Sequence, residues 1–244
     1  MAIIRELVDQ ELSAGRRTLI AIDLSLGFVA GTAHILGLNQ KPAWRATWRE
    51  LERRITDSDK NLNNRIAVAN DLNRASGIRL FWGRPASSSF DQYQFVPIRN
   101  IAVDSLAPNP LPRLRVSERL ATTGMQSNWQ LVGQGAVGGQ VLTGLAHLST
   151  FERNYEDAIA VWPFCGLGDP GTPVVLVETW HSLFPFEHLR ASCRDEAQVR
   201  GTAEALRANR DQLDTWFAPP SLLALSKREQ RSVINEEGWT FGVL

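Results

Sequence analysis

Apolar residues recur at helical spacing in several stretches of this 244-residue chain. Positions i, i+3, i+4 and i+7 form one face of a helix, so this spacing predicts amphipathic helices that pack against a core. The predicted helices cover residues 3–14, 44–55, 61–75, 140–153, 195–217 and 226–236.

Three short runs, at 18–22, 158–162 and 174–178, are apolar at almost every position. Continuous apolar strands, as opposed to alternating ones, indicate a sheet that is covered on both faces. Helices between the strands indicate parallel crossovers, so the pattern predicts a three-layer α/β fold. We expect one domain over 1–244, with an irregular, proline-rich insertion around 77–125 and a last apolar stretch at 239–244.

Charge and composition argue against several classes of protein, namely nucleic-acid-binding proteins of high net charge, membrane-spanning proteins and disulfide-rich secreted proteins. The chain has 26 basic and 26 acidic residues, so it has no overall attraction to nucleic acid or to an anionic membrane. No apolar run approaches the length needed to span a bilayer, and the N-terminus does not read as a secretory signal, which predicts a cytoplasmic protein. Two cysteines without CxxC spacing imply neither a disulfide framework nor a cysteine zinc site.

Acidic residues end two of the predicted strands. Asp23 follows the first strand and Glu178 ends the third, while Glu236 and Glu237 lie between the last helix and the last apolar stretch. Ligands of open α/β sheets gather at the carboxyl ends of the strands, and Mg²⁺ or Mn²⁺ prefers carboxylate oxygens. The pattern therefore favours a metal-dependent phosphoryl-transfer or nuclease site, with solvated strand-end acids or turn caps as the alternative.

Polar residues elsewhere supply candidate substrate contacts. His181 comes just after Glu178 and is within reach of the same crevice. Arg65, with Asn64 beside it, can clamp a phosphate or carboxylate because arginine offers a bidentate fork. The alternative for Asn64 and Arg65 is a helix cap and a solvated helix face.

A formal GxGxxG motif spans 133–138, after an expected short strand at 129–132 and before a helix. In a dinucleotide fingerprint such glycines bring the backbone close to a pyrophosphate, and an acid about 20 residues on binds the ribose. Here the next predicted strand ends in Pro163-Phe164, without an acid. Close helix packing through small residues is the alternative interpretation.

Several motifs together resemble an uncharacterised bacterial family that looks like the predicted ribonuclease-H-like nucleases. Some members of that family have names from molybdopterin or cobalamin biosynthesis. The motifs are 19–28, Asn63-Asn64-Arg65, Phe81-Trp82-Gly83, Trp129-Gln130-Leu131 with Gly133, Gly135 and Gly138, Val161-Trp162-Pro163-Phe164, 178–183 and Glu237-Gly238-Trp239.

The resemblance implies a ribonuclease-H-like mixed sheet flanked by helices. It implies divalent-metal ligands at Asp23 and Glu178, which would be the catalytic residues, and at Glu237. Relatives begin with an additional hairpin that supplies another aspartate, so this chain is expected to lack part of the N-terminal strands and one carboxylate. The chain also has Leu24-Ser25-Leu26-Gly27 where relatives carry a proline and an aromatic residue, and His181 where a proline is usual.

Two functions from different classes follow. The first is a Mg²⁺- or Mn²⁺-dependent nuclease or phosphodiesterase acting on nucleic acid, with Arg65 as the phosphate clamp. The second is a non-catalytic module that holds a nucleotide-like or pterin-like ligand in the same crevice. Because a sheet that lacks strands exposes an edge, we also expect a homodimer.

Overall fold

The computed structural model describes residues 1–60, 62–121 and 125–243. Its longer helices are α1 (Ala2–Ser13), α3 (Ala43–Arg54), α4 (Arg65–Ser76), α6 (Gly138–Asn154) and α7 (Arg194–Ala208). Its shorter helices are α2 (Thr32–Ile35), α5 (Val116–Leu120), α8 (Leu213–Phe217), α9 (Pro220–Leu223) and α10 (Lys227–Ser232). Its strands are β1 (Thr18–Ile22), β2 (Ile78–Arg79), β3 (Ala107–Pro108), β4 (Ile159–Val161), β5 (Val174–Thr179) and β6 (Thr240–Phe241).

The main sheet is built around β5. β1 pairs with one edge of β5 over its whole length, from Thr18 opposite Val174 to Ile22 opposite Glu178. On the other edge, β4 pairs with the first half of β5 and β6 with its end. All of these pairings are parallel, so the expected mixed sheet is wrong for the described residues. The reason is that each strand is reached by a crossover, and no hairpin contributes to this sheet.

Helices cover both faces of the sheet. Along β5, Val174 and Leu176 belong to a core that includes residues of α1, α3, α4 and α6. Val175 and Val177 belong to a second core on the opposite face, with residues of α5, α8 and α9. Every residue of β5 is buried, which explains why its first four residues, 174–177, are a continuous apolar run and not an alternating one.

Most of the predicted elements are confirmed, with boundaries shifted by a few residues. The predicted helix 195–217 is instead two helices, because Asn209 ends α7 and its side-chain amide donates to the Ala205 carbonyl. The predicted helix 226–236 changes after α10 into a π-helical turn, Val233–Glu237. The expected strand at 129–132 is wrong: it forms only a single bridge, between Trp82 and Gln130. Residues 61, 122–124 and 244 of the predicted segments lie outside the described residues.

The segment 77–125 is largely irregular in the residues that the structure describes. Its regular structure among the described residues is limited to the two-residue strands β2 and β3, a 3₁₀ turn at Ser88–Phe90 and α5. Asn73 of α4 holds the start of the insertion, because its amide accepts from the Leu80 and Phe81 N–H groups and donates to the Phe81 and Phe95 carbonyls. Among the described residues, no helix is long and apolar enough to cross a membrane.

Candidate functional site

A cleft of about 290 Å³ opens at the carboxyl ends of β1 and β5. It lies between the start of α6, α7 and the segments that follow the two strands. Its lining consists of Asp23, Leu24, Ser25, Glu118, Met125, Gln126, Val137, Gln140, Val141, Trp180, Ser182 and Gln198. The lining combines two acids, several hydroxyl and amide groups and one tryptophan. It contains no lysine or arginine, so the cleft is acidic.

Asp23 is the available carboxylate of this cleft. The residue is exposed, and no described group donates a hydrogen bond to its side chain. Partial burial of the carboxyl group raises its pKa, the charge of His181 lowers it and the charge of Glu178 raises it, with a net upward shift. Asp23 can therefore accept hydrogen bonds from a ligand without first losing one from a described residue.

Glu178, in contrast, is fully buried and its carboxylate is already used. Arg115, which is also fully buried, donates to Glu178 Oε2 from Nη1 at 2.8 Å and to Oε1 from Nη2 at 2.5 Å. The Leu26 N–H donates to Oε2 at 2.9 Å, and Thr240 Oγ1 donates to Oε1 at 3.1 Å. Two donors on each oxygen satisfy this carboxylate as a structural group.

The Arg115 guanidinium is a junction between three parts of the fold. Its Nε donates to Glu118 Oε1 at 2.8 Å, its Nη1 also donates to the Glu237 carbonyl, and its Nη2 donates to Ser25 Oγ at 3.1 Å. Burial opposes the charged form of Arg115, but the charges of Glu118 and Glu178 prevail and raise its pKa. The ion pair with Glu178 therefore joins the start of α5 to β5, and the hydrogen bonds to Ser25 and Glu237 join it to the loop after β1 and to the π-helical turn.

The π-helical turn directs two further glutamates at backbone N–H groups. Glu237 accepts from the Ala30 N–H at 2.9 Å and from the Val116 N–H at 2.6 Å. Glu236 accepts from the N–H groups of Gly31 and Ala33, and burial raises its pKa in spite of these bonds. Both carboxylates thus bind backbone N–H groups at or beside the starts of α2 and α5, and neither lines the cleft.

These contacts decide whether the carboxylates fit a Mg²⁺ or Mn²⁺ ion. A hard cation needs carboxylate oxygens that are free to coordinate it. Of the three predicted ligands, Asp23 is free, but Glu178 is bound by Arg115 and Glu237 by backbone N–H groups. Within 1–60, 62–121 and 125–243, no group of three or more His, Cys, Asp or Glu side chains could hold a metal ion. As placed, the residues do not fit a divalent-metal site.

The predicted substrate-binding residues lie in different places. His181 begins a 3₁₀ turn beside the cleft, where its Nδ1 is 2.8 Å from Thr202 Oγ1 of α7. Asn64 is bonded at both ends of its amide, since Oδ1 accepts from the Thr56 N–H and Nδ2 donates to the Arg54 carbonyl. Arg65 donates to Asn63 Oδ1 and lines an adjoining cleft of about 310 Å³, so it is not brought together with Asp23.

Gly138, the last glycine of the GxGxxG motif, and the neighbouring Gly139 pack closely against backbone at the start of α6. A Cβ atom at Gly138 would lie 2.3 Å from the Asn128 carbonyl oxygen, and one at Gly139 would lie 2.7 Å from the Leu131 carbonyl oxygen. Backbone occupies the space next to these two glycines, which supports close packing over a dinucleotide fingerprint. The Gly138 N–H donates to the Gln130 carbonyl at 2.8 Å, so this part of the helix start already has a protein partner.

Sequence reasoning missed Arg115, Glu118 and Trp180 as members of the site. At the start of α5, the Glu118 carboxylate accepts from the Arg115 backbone N–H and from Arg115 Nε, both at 2.8 Å, and the Arg-x-x-Glu spacing was the available signal. Trp180 lies two residues after the strand-end Glu178, and this position identifies a residue near the sheet edge. The contact of Arg115 with Glu178 spans 63 positions and has no local signature.

Fold and site together define a parallel, helix-covered α/β protein with an acidic cleft at the carboxyl ends of its strands. Comparisons with protein-family models, curated proteins and solved structures give no match to this chain.

Proposed function

We propose that this chain is a ligand-binding protein whose strand-end cleft holds a small heteroaromatic ring of the nucleobase or pterin type. The observation that carries the proposal is the Asp23 carboxylate, which lines the cleft without a hydrogen-bond donor from the described residues. A carboxylate in this situation recognises two adjacent N–H donors, such as the ring N–H and amino group of guanine or pterin.

The other lining groups support a flat, polar ligand. Trp180 supplies an aromatic face for stacking, and the amides of Gln140 and Gln198 each offer donors and an acceptor to ring heteroatoms. Phosphate-rich ligands are disfavoured, because Asp23 and Glu118 are acidic and the lining contains no lysine or arginine. The volume of about 290 Å³ is at the low end for binding sites and favours a small ligand.

Calorimetric titration with unphosphorylated probes tests this function. We expect binding of pterin or guanosine. Adenosine should bind more weakly, because its amino group has no ring N–H donor beside it. Asp23→Asn should weaken binding by about 10- to 100-fold, the effect of a hydrogen bond to a charged group. Arg65→Met, in the adjoining cleft, is the matched control and should bind like the wild type. Failure of every probe, or unchanged binding by Asp23→Asn, would contradict the proposal.

A Mg²⁺- or Mn²⁺-dependent nuclease is the competing proposal. It is supported by the neighbouring strand ends of Asp23 and Glu178, and by Glu118 in the lining of the same cleft. It requires Arg115 to release Glu178, since a metal and the guanidinium cannot occupy the same carboxylate oxygens. Cleavage of single- or double-stranded nucleic acid with Mn²⁺, abolished in Asp23→Asn, would favour this alternative.

A further inference from the structure

A second cavity, of about 170 Å³, lies where β2, the segment 108–113 and the segment 127–129 meet. It is separate from the strand-end cleft, and its lining includes Arg79 and Arg113 but no acidic residue. The indole rings of Trp82 and Trp129 form part of its wall. The cavity therefore has the opposite charge from the cleft that contains Asp23.

Arg79 has an unusual environment. Its Nε and Nη1 atoms are both buried and have no hydrogen-bond partner, and it forms no ion pair with a described residue. No other arginine in the described parts of the chain has two such nitrogens. Arg79 is half-buried, and two of its three guanidinium nitrogens have lost their hydration without gaining an acceptor, which is costly for a charged group. An anion in the cavity would offset the charge of Arg79, which no acidic residue of the lining does.

Further donors surround the same space. Arg113 is exposed, lines the cavity and makes no ion pair with a described residue. The Asn109 side-chain oxygen accepts from the Leu111 N–H at 2.9 Å, so the amide nitrogen is the group that Asn109 can offer to a ligand. Asn100 contributes a second amide to the lining. Two arginines and two amides without a carboxylate form a set of donors that matches a planar or tetrahedral oxyanion.

We propose that this cavity binds an oxyanion, the phosphate group or carboxylate group of a small ligand. The Arg79 guanidinium makes the central charge-assisted contact, and Arg113 closes the site from the solvent side. The proposal is independent of the ring-binding function, because it concerns different residues and the opposite charge.

Titration of the full-length chain with inorganic phosphate or with malonate, at constant ionic strength in chloride buffer, tests the proposal. The wild type is expected to bind one of the two anions in calorimetry and to show a rise of Tm with its concentration. Arg79→Met should bind at least about tenfold more weakly and show no such rise. Arg74→Met removes an exposed arginine, paired with Asp71, from neighbouring α4 and should respond like the wild type.

A response to phosphate alone assigns the site to a phosphate group, and a response to malonate alone assigns it to a carboxylate. In chloride, Arg79→Met is expected to be at least as stable as the wild type, since it removes an uncompensated charge. If Arg79→Met does not fold, Arg113→Gln becomes the test variant, and it must bind the anion more weakly than the wild type in the same titration. The proposal is overturned if neither anion binds the wild type, or if both cavity variants respond as Arg74→Met does.

Discussion

Glu178 and Asp23 differ in what their carboxylates contact, although the register of β1 and β5 places them at neighbouring strand ends. Glu178 is enclosed and receives two donors on each oxygen, whereas Asp23 lines the cleft without a described donor. Sequence reasoning predicted that both residues lie at the strand ends. It could not predict that Arg115 would occupy one of them, because that contact depends on the path of an irregular segment without periodicity.

The raised pKa of Asp23 gives a prediction about pH. Its ordinary value is about 3.9, and the higher folded value means that the folded state binds the proton more tightly than the unfolded state. The stabilisation from this group is therefore fully present below the unfolded pKa and is lost as the pH rises through the folded pKa. Asp23→Asn should remove this contribution, so that its stability relative to the wild type increases across that window.

Urea unfolding of both proteins at closely spaced pH values, from about pH 3 to about pH 7, measures the effect. The difference in the free energy of unfolding should change across the window and then become constant. A difference that is the same at every pH would show that Asp23 titrates alike in the folded and unfolded chain, which would contradict the raised pKa of its carboxyl group.

Among the elements, the three longest strands were the easiest to predict and the glycine-rich start of α6 the hardest. Continuous apolar runs identify β1, β4 and β5, because burial on both faces requires apolar residues at nearly every position. The break between α7 and α8 has no proline or glycine to mark it and falls at Asn209, whose side-chain amide donates to the Ala205 carbonyl. For Gly138, the sequence allows either phosphate contact or close packing, and only the position of the Asn128 carbonyl separates the two.

Gly138→Ala tests the packing role. Its Cβ would lie 2.3 Å from a backbone oxygen, so the start of α6 must shift, at a cost of roughly 1–3 kcal/mol or more. Gly144→Ala in the same helix is the matched control. Its Cβ would meet a Leu24 side-chain carbon at 2.4 Å, and a side chain can move more easily than backbone, so its cost should be smaller.

Chemical denaturation of the wild type and the two variants measures the free energy of unfolding that each substitution costs. An unchanged free energy of unfolding for Gly138→Ala, together with lost binding of a dinucleotide by the variant, would instead support the fingerprint interpretation of this motif.

At the scale of the whole molecule, β1 forms an edge of the main sheet. Among the described residues it pairs only with β5. The Thr18 N–H donates to the Pro173 carbonyl, so alternation along the strand directs the backbone groups of Leu19 and Ala21 away from β5. β1 is only partly buried, in contrast to β5. Unpaired edges invite pairing, and every copy of the chain presents the same edge.

We therefore predict a homodimer in which two β1 strands pair edge to edge. Sedimentation equilibrium of the wild type should show a monomer–dimer equilibrium. Ala21→Pro removes an N–H group that points to the free edge, where proline is tolerated, and should shift the equilibrium to monomer while the circular dichroism spectrum is kept. A wild type that is monomeric at every concentration measured would contradict this prediction.

The central claim is that Glu178 is a structural partner of Arg115 and not a metal ligand. The most direct test is the free energy of unfolding of the wild type and Glu178→Gln, each with and without Mn²⁺. We predict a loss of about 3–5 kcal/mol in Glu178→Gln, because Arg115 is left buried with a broken ion pair, and we predict no effect of Mn²⁺ on either protein. The claim would be contradicted if Glu178→Gln were as stable as the wild type in the absence of metal and Mn²⁺ stabilised the wild type alone.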